Sequence, residues 1–244
     1  MENGAFSQIE RMRSLGKRVI LFASIATRIA DRKHDDLLRQ KNGRGYPTLT
    51  MMDAKGEILT RDIDRNIAGV EKAVQSVLDH VRLAKRINAG EKGLDVDMLL
   101  VELRLRRLSV TQARQRFQRC VSRLGDAART EADSLILALE IEAWRAQLGK
   151  DKGAALNKGC YEAFKFGRRP VAGSRADEYL FYRPVLAGAG HAEDLVTFER
   201  AFQIQAPRLQ EKIDAAKTKG GSSYAQRQLD ALLGVLTRLR AARK

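Results

Sequence analysis

From Leu94 to Ala242 the apolar residues recur at three- and four-residue spacing and do not settle into alternation. A helical period held over about 150 residues admits helices packed on helices and leaves no room for a sheet. Residues 97–108 place Leu99, Leu103 and Leu108 on one side, and Ser109-Val110-Thr111-Gln112 has the form of a capping box opening the next helix, with Phe117, Val121 and Leu124 inward. Further helices are expected over 130–148, where Gly149 stops the run, and over 154–166, 176–186, 193–204, 207–217 and 224–242. Pro207 is read as a first-turn residue, where its missing N–H costs nothing. Short helices in series predict an α-helical hairpin array.

The chain before residue 88 reads differently. Phe6, Ile9, Met12 and Leu15 predict a short helix ended by Gly16, and the nearly continuous apolar run 19–25 predicts a strand covered on both faces. A second short helix is expected over 35–41, with Leu37 and Leu38 inward. Residues 48–52 and 57–60 then read as strands joined by Asp53-Ala54-Lys55-Gly56, a hairpin whose glycine supplies a positive φ. Val70, Val74, Val77, Val81 and Ala84 close the region as one helix face. Two glycines and alternating charges at Asn88-Ala89-Gly90-Glu91-Lys92-Gly93-Leu94 predict a linker, dividing a domain at 1–87 from a helical domain at 92–244.

The order helix, strand, helix, Pro-strand, hairpin strand and helix resembles the latter two thirds of a thioredoxin fold over residues 1 to 86. The run Gly45-Tyr46-Pro47-Thr48-Leu49, followed by Asp53, Gly56 and Glu57, carries the likeness. The resemblance implies a cis bond before Pro47 and makes Tyr46, Pro47 and Thr48 an edge whose backbone pairs with an extended peptide. In that family a redox Cys-x-x-Cys opens the helix before the central strand, because a helix N-terminus favours the thiolate. Here the matching approach, Met1-Glu2-Asn3-Gly4-Ala5-Phe6-Ser7, holds no cysteine. The strand and helix that would come first are missing too, so the shortened sheet is expected to expose an edge able to pair with a second copy. The expected fold class is therefore α/β plus all-α: a truncated thioredoxin-like sheet domain, then a helical array that resembles tetratricopeptide-type repeats in architecture without their signature residues.

Chemistry-bearing motifs are few. His34, His80 and His191 are dispersed and have no metal-ligand partner at helical spacing, and no metal or other cofactor is expected. Cys120 and Cys160 lie far apart on apolar helix faces and read as buried structural thiols. Neither a phosphate-cradling loop nor a nucleophile elbow is present. Basic residues outnumber acidic ones by 45 to 30, a net charge of +15 that favours acidic partners or nucleic acid. Arg104, Arg107 and Arg114, within a row that also includes Arg106, Arg116, Arg119 and Arg123, together with Arg168 and Arg169 beside Pro170, are the candidate anion-binding residues. Apolar runs are too short to span a bilayer, and no signal peptide is visible, so the expected location is the cytoplasm. The function expected is a redox-inactive module that binds a protein or peptide. The alternatives are an N-terminally shortened thiol-disulfide oxidoreductase, with its Cys-x-x-Cys upstream of the first codon, and a basic nucleic-acid-binding protein.

Overall fold

The computed structural model describes residues 8–21, 40, 49–60, 63, 66–147, 153–217 and 224–243. Among these the chain is mostly helical, with one small antiparallel sheet, and it forms two compact units, Met1–Arg129 and Thr130–Lys244.

The first unit is organised around α2 (Ile67–Asn88), which opens where the Asn66 side chain accepts the Gly69 N–H at 2.7 Å. One stripe of α2, Ile67, Val70 and Val74, packs against Leu15 and Met12 of α1 (Ile9–Gly16). An Arg11–Glu71 ion pair lies on the rim of that contact. The expected hairpin forms from β1 (Met51–Met52) and β2 (Ile58–Thr60), antiparallel, and is shorter than the sequence pattern predicts because its register shifts between Met51 and Met52. Its turn is held by Asp53 Oδ1, which accepts the N–H groups of Lys55 at 2.9 Å and Glu57 at 2.8 Å, while Gly56 takes φ +77°.

Two expectations are corrected in this unit. Val19, Ile20 and Leu21, read as the start of a covered central strand, are not in a sheet, and Ile20 is 96% exposed. The N–H groups of Arg18 and Val19 both bond back to the Leu15 carbonyl, so the backbone leaves α1 in a turn that has no donors set for a ladder. Residues 22–25 and the expected helix at 35–41, apart from Gln40, lie outside the described residues. The second correction concerns residues 88–94. Gly90 and Gly93 adopt φ +88° and +82° and reverse the chain tightly, so that α3 (Asp95–Arg104) packs on α2. Val77 and Leu83 meet Met98, Val101 and Leu105, with Met51 and Leu59 of the hairpin packed against the same cluster. The division between units falls at Arg129/Thr130 instead. Beyond Arg106, a non-glycine residue at φ +53°, α4 (Val110–Cys120) opens with the anticipated capping box. The Gln112 N–H donates to Ser109 Oγ at 3.3 Å and the Ser109 N–H to Gln112 Oε1 at 3.0 Å.

The second unit takes in α5 (Asp126–Arg145) from Thr130 onward, then α6 (Ala154–Lys165), a π-helical turn (Ala176–Phe181) running directly into α7 (Tyr182–His191), α8 (Leu195–Lys217) and α9 (Tyr224–Ala241). Successive helices pack in series, α6 on α7, α7 on α8 and α8 on α9. Phe164, Phe181 and Phe198 are fully buried. Phe164, Phe181 and Tyr182 meet as three mutually tilted rings 5.2 to 6.2 Å apart. Each such pair contributes about 0.5–1.5 kcal/mol beyond the area it buries. The two helices expected at 193–204 and 207–217 are one: α8 runs straight through Pro207. A proline inside a helix costs about 3 kcal/mol, and the cost is met here by continuous burial along α8, from Phe198 and Ala201 before it to Leu209 and Ile213 after it.

Candidate functional site

The described residue types that bear chemistry gather in the second unit, around the end of α6. Gly167, at φ +80°, turns the chain out of α6 and leaves Phe166 80% exposed. Arg168 then folds back onto α5. Its Nε donates to Asp133 at 2.9 Å and its Nη1 to the buried Glu140 at 2.8 Å, and these hydrogen bonds outweigh burial and hold its charge firmly. It is committed to two carboxylates of α5 as a structural ion pair. Arg169 behaves otherwise. Its guanidinium carbon lies 3.6 Å from the centre of the Phe164 ring, and its Nη1 donates to the carbonyls of Phe164 at 3.1 Å and Arg168 at 2.7 Å.

The π-helical turn places Asp177 beneath this loop, almost fully buried. Asp177 Oδ2 accepts from Arg208 Nη2 at 2.9 Å and from the Gly173 N–H at 3.2 Å. The Tyr182 ring lies under the Arg208 guanidinium, 4.9 Å away, and burial followed by the Asp177 charge pushes its hydroxyl up from the usual tyrosine value. One residue type per turn faces out from the same segment: Tyr179 is 63% exposed and carries Lys212 at 4.8 Å over its ring. Arg183, in the first turn of α7, donates to the Tyr224 hydroxyl of α9 at 3.3 Å, and Arg227 lies 5.9 Å over that ring. An exposed aromatic and basic patch therefore surrounds the start of α7.

The five arginines proposed from the sequence are not brought into one site. Arg104, at the end of α3, and Arg114, on α4, belong to the first unit, as does Arg107, which donates to the Leu59 carbonyl at 3.4 Å. Of the row around them, Arg116 pairs with Glu102 and Arg123 with Asp95. Arg168 and Arg169 belong to the second unit and, though adjacent, take opposite roles. Arg200 and Arg208 of α8, Tyr179, Tyr182 and Lys212 were missed by sequence reasoning. Their only sequence trace is the crowding of Tyr179, Leu180, Phe181 and Tyr182, an apolar run too dense for an ordinary helix face. Tyr46, Pro47 and Thr48 lie outside the described residues.

No group of three metal-ligating side chains occurs among the described residues. His80 is half-buried on α2, and burial and then the nearby Arg107 charge lower its proton affinity, so it is neutral near pH 7. Cys160 is fully buried in the second unit, and burial pushes its thiol up to about 12. Cys120, also buried, has Arg123 Nη2 at 3.7 Å. An open pocket of about 310 Å³ beside the 88–94 reversal is lined by Ile87, Leu94, Asp95 and Met98, with Arg116 at its edge already paired to Glu102. No helix among the described residues is long and apolar enough to cross a membrane. Compared with protein-family models, curated proteins and solved structures, the chain matches none.

Proposed function

We propose that the protein is a non-catalytic binding module that docks an acidic, partly apolar peptide segment on the helices of its second unit. The observation that carries this reading is the patch at the start of α7. Tyr179 and Tyr224 are 63% and 59% exposed there, and each is accompanied by a cation, Lys212 for the first and Arg227 with Arg183 for the second. Exposed aromatics combine large contact area with few rotatable bonds, which is why they anchor protein interfaces, and flanking cations select acidic partners. A net charge of +15 adds steering toward such partners.

The nucleic-acid alternative is less well served. Base stacking needs open ring faces, and one face of both rings is covered by the protein's own cations. Arg168 and Arg208, which a phosphate backbone would engage, are committed to internal carboxylates. Thiol exchange through Cys120 or Cys160 is disfavoured, since both are buried. The likeness of residues 1 to 86 to a thioredoxin fold belongs to the same proposal. The hairpin followed by α2 is the ending that such a fold would have, and Tyr46, Pro47 and Thr48 are the residues that the likeness would assign to peptide binding.

Fluorescence anisotropy of the full chain against labelled acidic-apolar peptides and a single-stranded oligonucleotide, over a salt series, tests the reading. Saturable peptide binding that falls about tenfold or more in Tyr179→Ala or Tyr224→Ala is the expected result. Tighter binding of the oligonucleotide, with a steep salt dependence and no response to either substitution, would overturn it.

A further inference from the structure

Arg169 and Arg200 approach one buried ring with no carboxylate among the described residues to neutralise them. Their guanidinium carbons lie 3.6 Å and 5.5 Å from the centre of the Phe164 ring, and Phe164 itself is fully buried. Arg169, half-buried, donates only to neutral carbonyls, those of Phe164 and Arg168. Arg200 is exposed on α8 and makes no hydrogen bond or ion pair with a described residue. Burial lowers the proton affinity of Arg169; Tyr182 opposes that shift, and the Arg200 charge adds to it. Asp177 is already occupied by Arg208, by the Gly173 N–H and by Tyr182, and Glu199, next to Arg200 in the chain, is paired with Arg240. Arg168, next in the chain, is spent on Asp133 and Glu140.

A guanidinium is a rigid fork of N–H donors that fits two oxygens of one oxyanion, and a second guanidinium close by fits an oxyanion of higher charge. Here two positive charges approach one ring, neither paired with a carboxylate among the described residues, and one of them is held in place by that ring and by two carbonyl acceptors. A carboxylate or a phosphodiester brings a single negative charge, whereas a phosphate monoester brings close to two near neutral pH. We infer that Arg169 and Arg200 bind the dianionic phosphoryl group of a phosphate monoester, each guanidinium donating to its oxygens. Phe164 acts as a positioning residue, holding the Arg169 fork at a fixed height. This site shares no residue with the pairs at Tyr179 and Tyr224 that carry the peptide reading.

Isothermal titration of the full chain with phenyl phosphate and with inorganic phosphate tests the site. Both ligands are expected to bind saturably, and Arg200→Gln, an exposed position that leaves the core intact, weakens both by about tenfold or more, the effect of losing a charge-assisted hydrogen bond. Arg169→Lys keeps the charge but removes the fork, and weakens binding by a similar factor. Arg238→Gln removes the same charge from a residue that does not touch the Phe164 ring and is expected to leave the affinity within about twofold of the parent, since an exposed charge without contact to the ligand acts through screening solvent. Absence of saturable binding, or equal losses in Arg200→Gln and Arg238→Gln, overturns the inference. So does an oligonucleotide held through these two arginines more tightly than phenyl phosphate, because the site would then read phosphodiesters.

Discussion

Cys160 shows how much one buried group shapes the response to pH. It is fully buried, and burial alone lifts its thiol from an ordinary value of 9.0 to about 12. Below pH 9 the thiol is protonated whether the chain is folded or not, and it makes no difference to stability. Above that pH the unfolded chain releases the proton while the folded chain keeps it. Stability is therefore lost as pH rises toward 12, at about 1.4 kcal/mol for each pH unit. Urea unfolding in steps above pH 9 is expected to show a shallower loss for Cys160→Ala than for the parent, although the variant starts lower because it leaves a small cavity. Parallel pH curves for the two proteins would mean that the thiol ionises freely in the native state. The same burial makes Cys160 unreactive toward aromatic disulfides until the protein is unfolded. That both cysteines are buried was legible in the sequence from their apolar helix faces. The separation of Arg168 from Arg169 was not. One of these neighbours is neutralised by carboxylates 28 and 35 residues away and the other by none among the described residues, and local composition holds no trace of that pairing.

At the level of elements, local rules held wherever a motif completes itself within a few residues. The capping box at Ser109 and the Asp53–Gly56 turn are both of this kind, since their donors and acceptors lie within four positions of one another. They failed where packing overrides them. Pro207 is a helix breaker by its own chemistry, yet apolar residues on either side bury α8 as a single rod. The π-helical turn at 176–181 buries Ala176, Asp177 and Phe181, and no local motif in the sequence announces its wider hydrogen-bond pattern. Glycine positions make this distinction measurable. At Gly188 of α7 an added Cβ would fall 2.7 Å from the Asn157 carbonyl and 2.6 Å from Tyr161 Cβ, so α6 and α7 approach each other only because that atom is missing. Gly188→Ala is expected to destabilise the protein by about 1–3 kcal/mol through overpacking against backbone that has nowhere to move. Gly234, inside α9, meets nothing within 4 Å, and Gly234→Ala is expected to stabilise by about 0.5–1 kcal/mol through helix propensity alone. Chemical denaturation of both variants measures the contrast, and a loss of stability at Gly234 equal to that at Gly188 would show that contact across the helices is not the cause.

For the whole molecule, the informative disagreement is where one unit ends. Composition placed the boundary at residues 88–94, because glycine and alternating charge resemble a linker. Composition reports the flexibility of a segment but not which faces meet across it. In the structure the two glycines supply positive φ angles to a reversal, and the helices on either side share one cluster of Val77, Leu83, Met98, Val101 and Leu105. A fragment that begins at residue 92 would keep α3 and α4 while losing α2 and the hairpin, the only described partners of that apolar stripe. Its Met98, Val101 and Leu105 would face water, at about 25 cal/mol for each Å² of apolar surface left uncovered. A fragment that begins at residue 126 carries none of this exposed stripe and retains the cluster of Phe164, Phe181, Tyr182 and Phe198 complete. Hydrogen exchange on the two fragments separates the possibilities. Amides of 154–217 are expected to be protected in both, and those of 95–120 to exchange as an unfolded chain in the longer one, which should also associate through its uncovered leucines and valines. If the longer fragment protects 95–120 as the full chain does, α3 and α4 stand without α2 and the boundary belongs at 88–94 after all.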